Sequence, residues 1–270
     1  MTHFELEFWD QGRLIVNRDY ANLLKQQGLQ TFATLWDHTA QAAIAKKLRT
    51  DRMTLRFTLQ DQGIERAFFI KRHTRSSWKE YVKPLLRLTW PILGARNEWN
   101  ALIQFHAVGL PTMVPVALGE SGSNSFLVTA ALENCVKLSE LNCGDASSQN
   151  DFRQRMIKDV AQLAKRMHAE GLHHQDFYLG HLMLSQADQQ TIYIIDLGRV
   201  QKQVPLSQRW IIKDLAQLNY SATSTVNDAE RQCFWQEYLG HSPTVDDQRL
   251  IDRIRAKTAT IARHSRKNKL

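Results

Sequence analysis

Apolar and polar positions alternate along Met53-Thr54-Leu55-Arg56-Phe57-Thr58-Leu59, the period of a strand with one buried face. Asp61-Gln62-Gly63 supplies a turn, and Ala67-Phe68-Phe69-Ile70-Lys71 predicts the returning strand. Residues 112–119 and 125–131 read as a second strand pair, joined by Glu120-Ser121-Gly122-Ser123-Asn124. Helical spacing replaces alternation in residues 98–106, which place apolar side chains at 99, 102, 103 and 105 and end by Gly109. It returns in residues 151–170, with apolar residues at 152, 156, 157, 160, 163, 164 and 167, a cap at Asn150 or Asp151, and Gly171 as the stop. Ahead of all this, residues 13–16 predict a short strand, and residues 20–27 and 29–36 two short helices. The first 50 residues carry no chemical motif and are expected to pack, as an extension, against the body that follows.

The chain has 270 residues, enough for one large domain or two modest lobes with ample core. Its 43% hydrophobic and 23% charged content is globular. A formal charge of +8 and a pI near 9.5 change the picture by pointing to an anionic partner. Residues 72–96 combine cations, aromatics and prolines, and suit either an anionic membrane surface (Trp78 and Trp90 at the interface) or a partly buried insert. The tail from Arg249 to Leu270 is basic with a sparse apolar side of Ile251, Ile254 and Ile261, and fits a solvated or a membrane-facing helix equally. No basic-aromatic recognition motif accompanies the charge, so nucleic acid is not expected as a partner. Cys135, Cys143 and Cys233 form no CxxC pair and no disulfide framework. With an acidic start and no run of about 18 apolar residues, the chain reads as cytoplasmic.

The chemistry concentrates in residues 173–199, H-H-Q-D-F-Y-L-G-H-L-M-L-S-Q-A-D-Q-Q-T-I-Y-I-I-D-L-G-R. This is a loop, a short strand at 182–184, a polar turn, and a second strand at 191–195 that ends in Asp-Leu-Gly. His174-Gln175-Asp176 stands where protein kinases carry His-Arg-Asp, and Asp196-Leu197-Gly198 where they carry Asp-Phe-Gly. Phosphoryl transfer needs one carboxylate to orient the attacking hydroxyl and another to hold Mg²⁺ against the nucleotide phosphates. Asp176 is thus the candidate base and Asp196 the candidate metal ligand. His181 occupies the place of the kinase Asn that ligates a second metal, so it holds the metal or a phosphate in a modified site, or the site is dead. His168, His173, His174 and His181 match no zinc spacing. Lys71 closes an apolar strand as the phosphate-gripping kinase Lys does, and Glu98 opens the helix from which that Lys is paired. No Gly-rich loop precedes Lys71; Arg52 and Arg56 are candidates to cover the phosphates instead. Arg199, beside Asp196, is a candidate for a phosphate or the acceptor sugar, or for an ordinary salt bridge. Asp214 reads as a structural buttress of the catalytic loop.

On these motifs the chain resembles the bacterial lipopolysaccharide core heptose and Kdo kinases, over roughly residues 50–225. The resemblance is carried by Met53-Thr54-Leu55-Arg56-Phe57, by Leu93-Gly94-Ala95-Arg96-Asn97-Glu98-Trp99, by the loop from His174 to His181, and by Ile195-Asp196-Leu197-Gly198-Arg199. It implies an ATP- and Mg²⁺-dependent kinase of a core sugar, with lipopolysaccharide core or lipid A-core as acceptor, at the cytoplasmic face of the inner membrane. The family's heptose kinases share the loop His, which argues against a dead site; its usual Arg is Gln175 here. The expected fold is α+β and protein-kinase-like: a first lobe over 51–132 built on a mixed sheet, preceded by the extension 1–50, and a mainly helical lobe over 133–270 with a basic tail. Ala131-Leu132-Glu133-Asn134 is the expected hinge, where adenine would sit. A kinase of another small molecule or protein and a nucleotide-binding pseudokinase are the alternatives.

Overall fold

The computed structural model describes residues 4–38, 43–49, 52–74, 94–141, 147–224 and 226–267. The membrane-facing reading of Trp78 and Trp90 lies outside them. The chain divides into two compact units, Met1–Glu133 and Asn134–Leu270.

The first unit is a seven-stranded sheet in the order β1-β2-β6-β7-β5-β4-β3. Its strands are β1 (Leu6–Trp9), β2 (Leu14–Asn17), β3 (Ala43–Arg49), β4 (Arg52–Asp61), β5 (Ile64–His73), β6 (Pro115–Ser121) and β7 (Asn124–Ala130). Every pairing is antiparallel, so the sheet is not mixed. Alternation in β4 does what its period predicts: Leu55, Phe57 and Leu59 are buried while Arg56 is exposed. Those three side chains join Phe68, Ile70, Phe126 and Val128 in one core, which is closed over by Leu23 and Leu24 of α1 (Ala21–Gln26) and by Phe32 and Leu35 of α2 (Phe32–His38).

Residues 4–38 therefore do more than lean on the sheet. β2 hydrogen-bonds into it beside β6, and the two short helices cover one of its faces. The opposite face carries the row Ile15, Leu118, Leu127 and Lys71, residues that stand directly across from one another in register. Helix α3 (Arg96–Ala107) lies on this second face and buries Trp99, Leu102 and Phe105. Central strands covered on both sides read as continuous apolar runs, as residues 126–128 do.

The second unit is mainly helical: α4 (Ser147–Ala169), α5 (Gln208–Ser221), α6 (Asp228–Leu239) and α7 (Val245–Lys267). Helix α4 starts before the expected cap at Asn150 or Asp151 and stops at Gly171. There φ is +73°, and a Cβ would sit 2.5 Å from the Gln203 carbonyl oxygen. Two small sheets complete the unit. One has β11 (Ile192–Ile194), β10 (Leu182–Ser185) and β8 (Cys135–Lys137) in that order; the other pairs β12 (Gln201–Lys202) with β9 (Leu172–His173). The basic tail is a helix whose apolar side is occupied from within, since Ile251 and Ile254 are buried and α7 packs on α5. Among the described residues, no helix is long and apolar enough to cross a membrane.

Candidate active site

In the first unit, the strand and helix deliver an ion pair. Lys71 Nζ lies 2.6 Å from Glu98 Oε1, with the Glu98 side chain 5% exposed. A carboxylate that deep is tolerated because a cation and a hydrogen bond meet it. Arg56 stands opposite Phe69 in the β4–β5 ladder, and Thr54 opposite Lys71, so Arg56 shares the face of Lys71.

In the second unit, the hairpin β10–β11 sets two loops side by side. The ligand atoms of Asp176, His181 and Asp196 all lie within 4.8 Å of one another. His181 Nδ1 is 2.7 Å from the Asp176 carbonyl oxygen, which can only accept, so Nδ1 carries the proton. In the neutral ring the other nitrogen, Nε2, presents its lone pair 3.8 Å from Asp196 Oδ2. A lone pair facing a carboxylate is repulsive unless a proton or a cation stands between them. Two carboxylates with an imidazole whose tautomer is fixed by a backbone carbonyl form a donor set that fits a divalent ion. Asp196 has φ of +61° and Gln175 φ of +65°, left-handed conformations that cost a side-chain-bearing residue on the order of 1 kcal/mol.

His174 ties the two loops together. Its Nε2 donates to the Ile195 carbonyl at 3.0 Å, and its Nδ1 accepts from the Asp176 amide at 3.2 Å. Burial pushes its pKa down, which keeps the ring in this neutral tautomer. The loop has almost no sheet of its own, and α5 supplies partners instead. Asp214 accepts from the amides of His174 (2.7 Å) and Gln175 (2.8 Å). Gln217 accepts from the Phe177 amide and donates to the Gln175 carbonyl, and Ser221 accepts from the Leu179 amide. Behind Asp214, His168 Nε2 lies 3.4 Å away and His168 Nδ1 is bonded to the Tyr238 hydroxyl.

A family model described as the lipopolysaccharide kinase (Kdo/WaaP) family matches residues 35–238. The chain belongs to that family. It is 34% identical over 259 residues to a lipopolysaccharide core heptose(I) kinase WaaP of Escherichia coli, covering 86% of this chain and 95% of the relative. It is 37% identical over 186 residues to the Pseudomonas aeruginosa PAO1 protein of the same description, covering 62% of this chain and 67% of the relative. A solved structure of WaaP in complex with acyl carrier protein is similar at a TM-score of 0.69 and 26% identity, covering 92% of this chain and 98% of the other. An aminoglycoside-3'-phosphotransferase of type VIII follows at a TM-score of 0.51 and 15% identity, covering 88% and 100%, a likeness of fold alone. The α+β kinase-like fold is thus shown. Within this lipopolysaccharide kinase, Arg199 sits with a guanidinium nitrogen 3.9 Å from Asp176 Oδ1. Gln175, in the place of the usual Arg, turns inward, donating to the Arg199 carbonyl at 3.0 Å and accepting from Lys213 Nζ at 3.2 Å. Sequence reading singled out neither Gln217 nor Ser221, although D-x-x-Q-x-x-x-S puts three polar side chains on one helical face.

Proposed function

We propose that this chain transfers the γ-phosphoryl group of ATP to a hydroxyl of an inner-core heptose of lipopolysaccharide. What carries the reading is family membership joined to the convergence of Asp176, His181 and Asp196. Lys71, oriented by Glu98, takes the nucleotide phosphates, with Arg56 on the same face as a second cation. Asp196 and His181 would hold Mg²⁺, which when bound would neutralise phosphate charge. Asp176 accepts the proton as the acceptor oxygen bonds to the γ-phosphorus and the bond to the β-phosphate oxygen breaks, releasing ADP. Arg199, beside Asp176, contacts a phosphate or the acceptor. The +8 charge supports peripheral binding to the anionic inner face of the inner membrane. Mass spectrometry of lipopolysaccharide core from cells with and without the gene tests the reading. Loss of one phosphate on a heptose, restored by the wild-type gene, is expected; an unchanged core would move the assignment to another acceptor.

One observation favours a further partner. The second unit holds an apolar cavity lined by Leu138, Met156, Ile157, Leu218, Phe234 and Trp235. A similar structure was solved with acyl carrier protein, and an acyl chain is what such a lining accepts. Acylated carrier protein is therefore expected to bind this chain at least about tenfold more tightly than the unacylated form, a difference of about 1.4 kcal/mol. Equal affinities in calorimetric titration would remove the cavity from that role.

A further inference from the structure

Among the described residues, Lys213 has no ion-pair partner. It sits half-buried on α5, next to Asp214, whose own carboxylate is spent on the loop amides. Its ammonium reaches the neutral Oε1 of Gln175 at 3.2 Å and the face of Trp210 at 5.3 Å, and among the described residues no carboxylate lies within ion-pair distance of it. Burial pushes its pKa below the ordinary lysine value, and Arg199 and Lys257 push the same way, against Asp214 and Asp176. The neighbouring His173, stacked on Trp210, is pushed down to about 4, first by burial and further by Lys213, His168 and Arg209, with Asp214 opposing. Arg199 is equally underused: its side chain is 62% exposed and meets Asp176 only at 3.9 Å. Gln175 joins the two cations by bonding the Arg199 carbonyl and the Lys213 ammonium at once.

Arg199 thus stands beside the carboxylate of the candidate base, and Lys213 is tied to the residue that precedes that base in the chain. A partly desolvated ammonium lacking a counter-charge is costly unless an anion arrives to meet it. We propose that Lys213 and Arg199, joined through Gln175, form a subsite for an anionic group, a carboxylate or phosphate carried by the acceptor glycan beside the hydroxyl that Asp176 serves. The proposal rests on the kinase reading above and names what the acceptor must carry. A guanidinium and an ammonium suit this task, one as a planar fork and the other as a point charge. The subsite also gives Gln175 a purpose: an Arg there would compete for the same anion, whereas the amide holds the Arg199 backbone and the Lys213 ammonium without adding charge.

The test is steady-state phosphorylation, by the full chain, of core acceptor that lacks only the phosphate this reaction adds. Three acceptor forms are used: native, with carboxyl groups reduced to alcohols, and with its phosphates removed. Wild type is expected to show a KM about tenfold or more higher for one of the two neutralised forms, which identifies the anion. Lys213→Met is expected to raise the KM for native acceptor by a similar factor, to leave the KM for ATP unchanged, and to be indifferent to the neutralisation that hurts wild type. Lys213→Gln makes the same comparison should the methionine variant fail to fold. Full use of both neutralised acceptors by wild type would overturn the subsite while leaving the kinase reading intact. So would a Lys213→Met defect confined to ATP, or a neutralisation penalty undiminished in that variant. Transfer to no acceptor form by wild type would overturn the kinase reading and the subsite with it.

Discussion

Asp176→Ala is expected to abolish phosphoryl transfer, by a factor on the order of 10³, while nucleotide binding stays within about twofold of wild type. The reason is the division of labour inside one residue. The Asp176 backbone is fixed by partners that alanine retains: its amide donates to His174 Nδ1 and its carbonyl accepts from His181 Nδ1. Its carboxylate, by contrast, is partly exposed and meets Arg199 only at the limit of an ion pair. Removing that carboxylate therefore deletes the proton acceptor without unmaking the loop. The candidate nucleotide-binding cation, Lys71, is paired with Glu98 in the other unit and is untouched. Transfer to the acceptor and calorimetric ATP binding, measured on the same preparation, separate the two. Turnover near the wild-type rate would sink the assignment of Asp176, and loss of ATP binding would show that the variant reports on folding instead.

How much of this was legible beforehand depended on whether a local pattern could carry it. The hairpin between the two acidic motifs was legible because a run of three or four apolar residues, a polar turn and a second run admit few other solutions. The Lys71–Glu98 pair was legible only beside the downstream acidic motifs, since a Lys closing an apolar strand and a Glu opening a helix read by themselves as solvated charges. The outer layer was not legible. Nothing in residues 20–36 says which face of which sheet they cover, because amphipathic helices of six and seven residues state only that one side is buried. The same limit applies to the tail, whose sparse isoleucines left a solvated and a membrane-facing helix equally open, whereas in the structure Ile251 and Ile254 are buried and the helix packs on α5. Lys213 escaped because its meaning lies in what is missing around it. A lysine before a buried aspartate reads as half of an ion pair, and only coordinates reveal that the aspartate is committed elsewhere.

The polar face of α5 has the largest stability consequence. Asp214 is fully buried, and it accepts two loop amides that would otherwise be buried donors without partners. Each such orphan costs about 1–3 kcal/mol, so Asp214→Ala is expected to lower stability by about 2–5 kcal/mol. That corresponds to a melting temperature lower by roughly 5–15 °C, on the usual scale for domains of this size. Transfer activity should fall with it even below the melting range, because His174 and Gln175 lead directly into Asp176. The pH dependence has a definite sign. Burial alone would raise the Asp214 pKa, but the hydrogen bonds from the His168 ring and from the His174 amide outweigh it and hold the carboxyl below its ordinary value. A group whose folded pKa is depressed contributes fully above its unfolded value, near 3.8, and loses that contribution only as pH falls through the folded value. Denaturant unfolding of wild type and Asp214→Ala should therefore differ by a constant amount from pH 7 down to about 4, and converge in stronger acid. A variant that melts with wild type at pH 7 would mean that the loop amides find other partners, and that α5 orders the catalytic loop by shape rather than by this carboxylate.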